Sequence, residues 1–511
     1  MILKFIKNFF FIKIIKNYNY YKKRDKKFVL NLEKKFVFTQ YEYSSKFLKK
    51  ILNNANINFS ISFNQLIFEK LFSRFRLYRL YNLNKKIIFP IPTELINRIK
   101  QDHEINIFFS KLFFYTYCFV FSLKSIIFFL KYFLVQIFLY KKDRSVDIYN
   151  KIFFCNVIEA NVSNNIDDDT FVSWYIKKTK QRKKNIFLVN SKLNKKKLDF
   201  LKESSILPNI GFGFELINLF TKFFILYLYN FKEFLFGRPI FLLATEELLK
   251  ALIFSVVKKR AICNEYVFLN RTYIYRPLWT YIAEERKSKI ILAFFSTNQG
   301  IYIKGNSWTN ISWPRFYVWD DIQIKFLKEY NRIEADYFKF DYIPSIDDNH
   351  KDQIPVADLC VFDDPPLSSI HDALFGQTDP IYNFRNCNKF LDDIVDIASS
   401  LNLTVNFKLK RNYKSIHSGY LKKIDKIKYS KFSFINPNIS PKRLIEKSKI
   451  TISFPFSTTA LIAKNFGQEN IYYSPLEIDN IYKICTRRIE IIANKSKLKE
   501  FIINKLNLDK N

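Results

Sequence analysis

Short apolar runs alternate with stretches of helical period through most of the chain from Lys151 onward. Lys151 to Ile158 (KIFFCNVI) and Ile186 to Asn190 (IFLVN) predict buried strands, with a helix over Phe171 to Lys178 between them. Thr245 to Lys258 reads as a helix, with Thr245 as cap and Glu246 and Glu247 in the first turn. Thr272 to Lys287 is helical overall, with Pro277 breaking or beginning it; Ile290 to Ser296 (IILAFFS) is a strand, followed by a loop with Asn298 and Gly300. Trp308 to Trp319 is aromatic-rich and ends in Asp320-Asp321, which can cap a helix over Ile322 to Tyr330.

The same alternation resumes after an acidic stretch. Strands are expected at Ala357 to Asp363, Leu403 to Leu409, Lys449 to Ser453 and Asn470 to Ser474. Helices are expected at Phe390 to Leu401, Pro441 to Ser448 and Thr458 to Asn465, and Arg488 to Asn511 looks like a helix packing back. Strand–helix alternation of this kind implies α/β units built on parallel sheets, whose ligands sit beyond the carboxyl ends of the strands.

Two segments do not fit that rhythm. Ile105 to Tyr140 is long and apolar, interrupted by Lys111, Lys124 and Lys131. Only twelve residues separate Lys111 from Lys124, fewer than the roughly 18–20 that cross a bilayer. Lys124 and Lys131 are seven apart and share a helix face, which suits an interfacial or re-entrant helix with snorkelling lysines; a transmembrane hairpin is the alternative. In Phe214 to Phe236, Glu215, Asn218, Lys222 and Glu233 fall on one side of a helix, with Thr221, Asn230 and Lys232 widening that edge. This is either a second membrane-associating helix or a buried helix with one solvated edge.

Charge sharpens this picture. The 511 residues carry 83 Lys and Arg against 47 Asp and Glu, a net +36, with 57 Phe, 31 Tyr and only 8 Gly. Residues 1–50 hold a net +11, residues 182–202 add a basic cluster including Lys195, Lys196 and Lys197, and Glu334 to Asp396 is a net −10. A nucleic-acid binder keeps one sign across its working face, and no RNP-like strand, zinc knuckle or helix-turn-helix signature stands out, so nucleic acid is not expected as a partner. A basic, apolar N-terminal half suits anionic lipids instead. The Lys, Asn, Ile and Phe bias also matches what an AT-rich genome writes, which accounts for part of the excess. The six cysteines, Cys118, Cys155, Cys263, Cys360, Cys387 and Cys485, form no C-x-x-C pair, so scattered reduced thiols are expected. Met1 to Asn17 is apolar and basic, but Lys13 interrupts it and no small-residue cleavage site follows, against a secretory signal. Asp167-Asp168-Asp169 raises a D-x-D metal site for a nucleotide sugar; acids at a helix start are the favoured reading.

Polar residues recur at the strand ends of the second unit. Val361-Phe362-Asp363-Asp364-Pro365-Pro366 opens into an acidic turn, and Lys408-Leu409-Lys410-Arg411 closes a strand, with His417 six residues on. Ser453-Phe454-Pro455-Phe456-Ser457-Thr458-Thr459-Ala460 is a strand–turn–helix junction whose hydroxyls and amides sit at a helix N-terminus, a natural anion site. Each alone is ordinary; together, at successive strand ends, they could hold a diphosphate and stabilise its charge as it leaves.

This order of motifs, followed by I-Y-Y-S-P, resembles a family of bacterial surface-polysaccharide (capsule, O-antigen, lipopolysaccharide) biosynthesis proteins, glycosyltransferases of the GT-B kind. More distantly it is similar to CDP-glycerol glycerophosphotransferases and bacterial polysialyltransferases, which use a basic His-Pro segment and a Ser/Thr-rich helix start for the nucleotide. The resemblance covers roughly residues 240–480 and departs from the pattern in lacking the His-Pro pair. It implies a GT-B-like α/β fold: two Rossmann-like domains facing a cleft, with membrane-associating helices at about 105–140 and 214–236. The acceptor-side domain would span 1–330, the donor domain 331–490 and a C-terminal helix 491–511. It implies a nucleotide-sugar donor, a lipid-linked or polysaccharide acceptor, no cofactor and no metal, at the cytoplasmic face of the bacterial inner membrane. Lys408, Lys410, Arg411, His417, Pro455, Ser457, Thr458 and Thr459 would bind the donor, and Asp363 and Glu246 are the catalytic candidates. A polyol-phosphate transferase and a basic nucleic-acid-binding protein without catalysis are the rival readings.

Overall fold

The computed structural model describes residues 41–52, 56–81, 107–139, 151–155, 170–182, 185–189, 202–204, 207–210, 213–269, 275–294, 311–340, 353–366, 381, 384–410, 416–427, 429–437, 439–476 and 486–508. Met1 to Asn17, Asp167 to Asp169, Lys195 to Lys197, Asn298, Gly300, Arg411 and Cys485 lie outside them.

Among the described residues, three helices precede the first strand: α1 (Tyr41–Ile51), α2 (Ile57–Tyr81) and α3 (Ile107–Leu139). The first α/β unit then runs β1 (Ile152–Cys155), α4 (Phe171–Thr179), β2 (Ile186–Val189), β3 (Lys202–Ser204), α5 (Phe214–Leu235), α6 (Thr245–Val256), β4 (Glu265–Leu269), α7 (Trp279–Glu285), β5 (Lys289–Ala293), β6 (Arg315–Val318), α8 (Asp321–Tyr330) and β7 (Asp336–Lys339). The second unit runs β8 (Ala357–Phe362), α9 (Phe384–Ser400), β9 (Val405–Lys408), α10 (Ser418–Ile424), β10 (Phe432–Ile435), α11 (Pro441–Glu446), β11 (Ser448–Ser453), α12 (Thr458–Asn465), β12 (Glu469–Ser474), β13 (Ile491–Ala493) and α13 (Lys495–Leu506).

Each unit is one parallel sheet. The orders are β3-β2-β1-β4-β5-β6-β7 and β10-β9-β8-β11-β12-β13. In both, the first strand lies inside the sheet; the chain winds out to one side, returns, and winds out to the other. That doubly wound order is the Rossmann one, and it leaves a crevice at the carboxyl edge where the direction reverses. The reversal falls between β1 and β4 in the first sheet and between β8 and β11 in the second. The central strands are apolar on both faces, as parallel strands covered by helices must be: IFFC in β1 and EYVFL in β4 are buried throughout. Two Rossmann-like units in one chain agree with the expected fold class.

Several boundaries differ from expectation. The first sheet extends to β7, beyond residue 330, because Tyr317 and Phe316 of β6 pair with Phe338 and Tyr337. Residues 491–493 form β13 against β12 before the C-terminal helix begins. Thr245 does not cap α6: the chain enters that helix directly from a 3₁₀ turn, Pro239–Ala244, and the Thr245 hydroxyl donates to the Leu242 carbonyl. Asp320 does cap α8, accepting from Gln323 N at 2.8 Å, and Thr170 caps α4. The described units are joined by an ion pair between Asp320 and Arg487, whose guanidinium is almost wholly buried. The five described cysteines are buried free thiols.

α3 and α5 lie antiparallel: Tyr115 meets Phe234, Ser125 meets Tyr227, and Phe133 meets Phe220. Both pack on the 3₁₀ turn and α6, and their inner residues join the core beneath the first sheet. Their polarity is inverted relative to a soluble amphipathic helix. On α5 the polar side chains turn toward the protein: Lys222 donates to Ser255 Oγ, Asn230 to Thr245 Oγ1, and Glu215 and Glu233 pair with Lys258 and Arg238. The exposed apolar positions are Phe214, Ile217, Phe220, Phe224, Leu228, Phe231 and Leu235, with Thr221 and Lys232 exposed beside them. On α3, Ser125, Tyr132 and Gln136 face inward and hydrogen-bond Tyr227 Oη, Pro208 O and Ile210 N, while Phe108, Leu112, Phe119, Leu123, Ile127, Leu130 and Leu134 are exposed. The alternative of a buried α5 with one solvated edge is therefore corrected: Glu215, Lys222, Asn230 and Glu233 of its polar edge are turned to the protein, and only Thr221 and Lys232 of that edge are exposed.

Candidate functional site

The second sheet's reversal point is bordered by two of the motifs read from the sequence. β8 ends at Phe362 and runs into Asp363 and Asp364; β11 ends at Ser453 and turns through Pro455 into α12. The two exits are tied by Phe454 N donating to Phe362 O at 2.7 Å. The turn is sharp enough to put Phe456 at φ 62°, in the left-handed region, a conformation that costs a residue other than glycine or asparagine on the order of 1 kcal/mol or more. It is held there by burial of the ring, which packs 5.7 Å from Tyr472.

That turn delivers the start of α12 to the crevice. Ser457 occupies the N-cap with extended backbone but makes no capping bond to the first turn. Its hydroxyl meets Thr459 Oγ1 at 2.7 Å, and Ser453 Oγ meets the same atom at 2.9 Å. The result is a chain of three hydroxyls across the mouth of the helix, with the partial positive charge of the helix N-terminus behind it. The Tyr472 hydroxyl fixes the turn from below by donating to Ser457 O.

On the other side, the β8 and β9 exits form a compact charged cluster. Asp363 is 2 % exposed. Its carboxylate accepts from the Tyr420 hydroxyl at 2.7 Å and from the Lys410 backbone N–H at 3.4 Å. Burial, together with the Asp363 carboxylate, pushes the Tyr420 phenol far above its ordinary value, so it stays a donor. Asp364 takes the Lys410 ammonium at 2.6 Å, and Lys410 remains about half exposed. His417 joins the cluster through its backbone, donating to Pro366 O. Its Nδ1 accepts from Gly419 N and caps α10, and its ring packs against Phe384. Burial lowers the His417 pKa, so the ring is neutral at pH 7 with its proton on Nε2.

Two expected members lie elsewhere. Lys408 is buried, and its Nζ donates to Pro437 O at 2.9 Å. Strand alternation puts it on the sheet face that carries Asn406, opposite Phe407, and not at the open edge. Glu246 sits at the start of α6 in the first unit, paired with Lys124 of α3 and with Lys250. Burial works to raise its pKa, but the two ammonium groups outweigh it and hold the carboxyl below its ordinary value. Asp363, Lys410, His417, Pro455, Ser457, Thr458 and Thr459 are thus gathered around one sheet edge, and Lys408 and Glu246 are not. Asp364, Tyr420 and Ser453 belong to the arrangement without having been singled out as binding groups; Asp364 had a signal in its place beside Asp363, while Tyr420 had none. Among the described residues no three His, Cys, Asp or Glu side chains cluster as metal ligands.

The arrangement can take an anion: donors from a helix N-terminus and hydroxyls on one side, a half-exposed ammonium on the other. No curated protein matches the chain. Among solved structures, the chain overlaps Methanocaldococcus jannaschii UDP-GlcNAc 2-epimerase, bound to UDP-GlcNAc and UDP, at 12% identity and a TM-score of 0.36, covering 71% of this chain and 93% of that one. It overlaps the spinosyn forosaminyltransferase SpnP at 6% identity and a TM-score of 0.35, covering 70% and 90%. It overlaps Acinetobacter baumannii MurG at 6% identity and a TM-score of 0.28, covering 70% and 90%. Overlap at that level does not extend a neighbour's reaction to this chain. A family model is more direct: residues 224–502, more than half of the chain, match the polysaccharide biosynthesis PFTS motif protein model, and the chain belongs to that polysaccharide biosynthesis family.

Proposed function

We propose that the protein is a glycosyltransferase that moves a sugar from a nucleotide-sugar donor to a surface polysaccharide or lipid-linked glycan at the cytoplasmic face of the inner membrane. The observation that carries the reading is the reversal-point crevice of the second sheet, with the α12 N-terminus on one wall and Lys410 on the other, in a member of a polysaccharide biosynthesis family. In this reading the second unit, from β8 to α13, holds the donor. Its diphosphate accepts from the first-turn amides of α12 and from the Ser457, Thr458 and Thr459 hydroxyls, and Lys410 spends one N–H on Asp364 while turning another to the phosphate. As the acceptor hydroxyl oxygen bonds to the sugar's anomeric carbon and gives up its proton to solvent, the bond from that carbon to the diphosphate oxygen breaks. The negative charge then left on the diphosphate is met by Lys410 and the helix N-terminus, a role that needs no resident metal. Asp363 shapes this wall by holding Tyr420 and the Lys410 backbone. The first unit, which extends to β7, faces the donor unit across a cleft and carries the acceptor side.

The test is a purified-protein transfer and thermal-shift panel. UDP, CDP or CMP is expected to raise the melting temperature, and Lys410→Ala and Thr459→Val are expected to abolish that shift and sugar transfer while leaving the unliganded melt within a few degrees. Full transfer by both variants would remove the site; transfer of a polyol phosphate from a CDP-linked donor would replace the reaction while keeping the crevice.

A further inference from the structure

We infer that α3 and α5 form a platform that lies flat in one leaflet of an anionic bilayer, lipid covering their outer faces along the full length of both helices and neither helix crossing. By length and composition α3 could cross: its residues Ile107–Ile137 are the one such stretch among the described residues. Its packing argues otherwise. Buried residues run along its inner face from Phe114 to Gln136, about 33 Å of helix at 1.5 Å per residue. That is as long as the hydrocarbon core is thick, roughly 30 Å. The face is attached throughout to the 3₁₀ turn, α6 and the core under the first sheet. For α3 to cross, the α/β body would have to enter the lipid with it.

The charges agree. Lys124, at the middle of α3, is 66% exposed and paired with Glu246 of α6. A midpoint lysine anchored to a sheet-covering helix belongs at a headgroup boundary, where its stem lies on apolar surface and its ammonium stays wet. Lys111, Lys124 and Lys131 are the charged residues of α3, which has no acid. On α5, Glu215 and Glu233 are turned to Lys258 and Arg238, while Lys232 is exposed. The rim of the apolar face is therefore cationic, which selects an anionic leaflet over a second copy of the same cationic face. The seat does not depend on the reaction proposed above: vesicle binding by a protein that transfers no sugar would support the seat and count against the reaction alone.

The experiment uses the full chain and vesicles of phosphatidylcholine with rising phosphatidylglycerol. Flotation is expected to increase with the anionic fraction and to fall at least tenfold in the Phe224→Asp/Leu228→Asp double variant, whose unchanged melt shows that it folds. Fluorescent labels on Phe108→Cys and Leu134→Cys, near opposite ends of α3, are expected to be quenched to the same extent by shallow spin-labelled lipid and to remain reachable by aqueous quencher from one side only. Quenching of the two ends from opposite sides of the vesicle would overturn the in-plane seat. So would flotation unaffected by the double variant. A lipid-independent dimer dissociated by the double variant, with no flotation of the wild type, would show a second copy to be the occupant and equally overturn it.

Discussion

Asp363 illustrates how burial decides a carboxylate's part. As a carboxylate at a strand end it is a natural catalytic candidate, but its oxygens are taken by Tyr420 Oη and the Lys410 N–H inside the protein. Removing the phenol leaves a buried acceptor short of a donor, a loss of about 1–3 kcal/mol. Tyr420→Phe is accordingly expected to lower stability by that amount in urea unfolding and to loosen the Lys410 loop. An unchanged midpoint would mean that Asp363 does not depend on Tyr420. His417 gives a pH signature. Its folded pKa is depressed, so its stabilising contribution is complete above the unfolded value of about 6.5 and is lost as pH falls through the lower folded value. His417→Asn, which can still cap α10, is expected to flatten the stability profile below pH 6.5 and leave stability at pH 8 nearly unchanged. None of this pairing was legible in the sequence, because Asp363 and Tyr420 are 57 residues apart and meet only when β8 and β9 pair. The Ser457-to-Thr459 junction was legible because strand, turn and helix start are contiguous there.

At the scale of elements, the readable strands were those dominated by an apolar run; EYVFL of β4, though buried throughout, was not among them. β1 is apolar throughout, while β5, β8 and β11 carry mostly apolar or β-branched runs begun or interrupted by Lys289, Asp358 and Lys449. β7 and β13 were not readable: DYFK is an exposed edge strand with a charge at each end, and IIA is three residues long. The faces of α5 were harder still, since period fixes which residues share a side but not which side meets the protein. Tertiary packing settles it, and the consequence is measurable. Leu226 is fully buried and Leu228 exposed on the same helix. Leu226→Ala is expected to cost about 2–5 kcal/mol in chemical denaturation and Leu228→Ala less than about 0.5 kcal/mol. The reverse order would invert the assigned faces.

For the whole molecule, α/β units on parallel sheets were foreseeable from alternation and their Rossmann-like form from the family resemblance, but how the units are held together was not. The Asp320–Arg487 pair joins residues 167 positions apart, and Asp320 also caps α8. Asparagine caps as well as aspartate, so Asp320→Asn is expected to leave α8 intact while separating the unfolding of the two units into two calorimetric transitions; a single transition as in the wild type would show that the pair does not couple them. The net +36 likewise resolves by location: cations rim the α3–α5 face, Lys410 lies at the carboxyl edge of the second sheet against Asp364, and others are taken up in internal pairs such as Lys250 with Glu247. The central claim is that the carboxyl edge of the second sheet, between β8 and β11, holds a nucleoside diphosphate. Isothermal titration with UDP and CDP tests it most directly. One of them is expected to bind, about tenfold or more weaker in Lys410→Ala, a loss of roughly 1.4 kcal/mol, and with unchanged affinity in Glu246→Gln. Binding that survives Lys410→Ala but disappears in Glu246→Gln would contradict it.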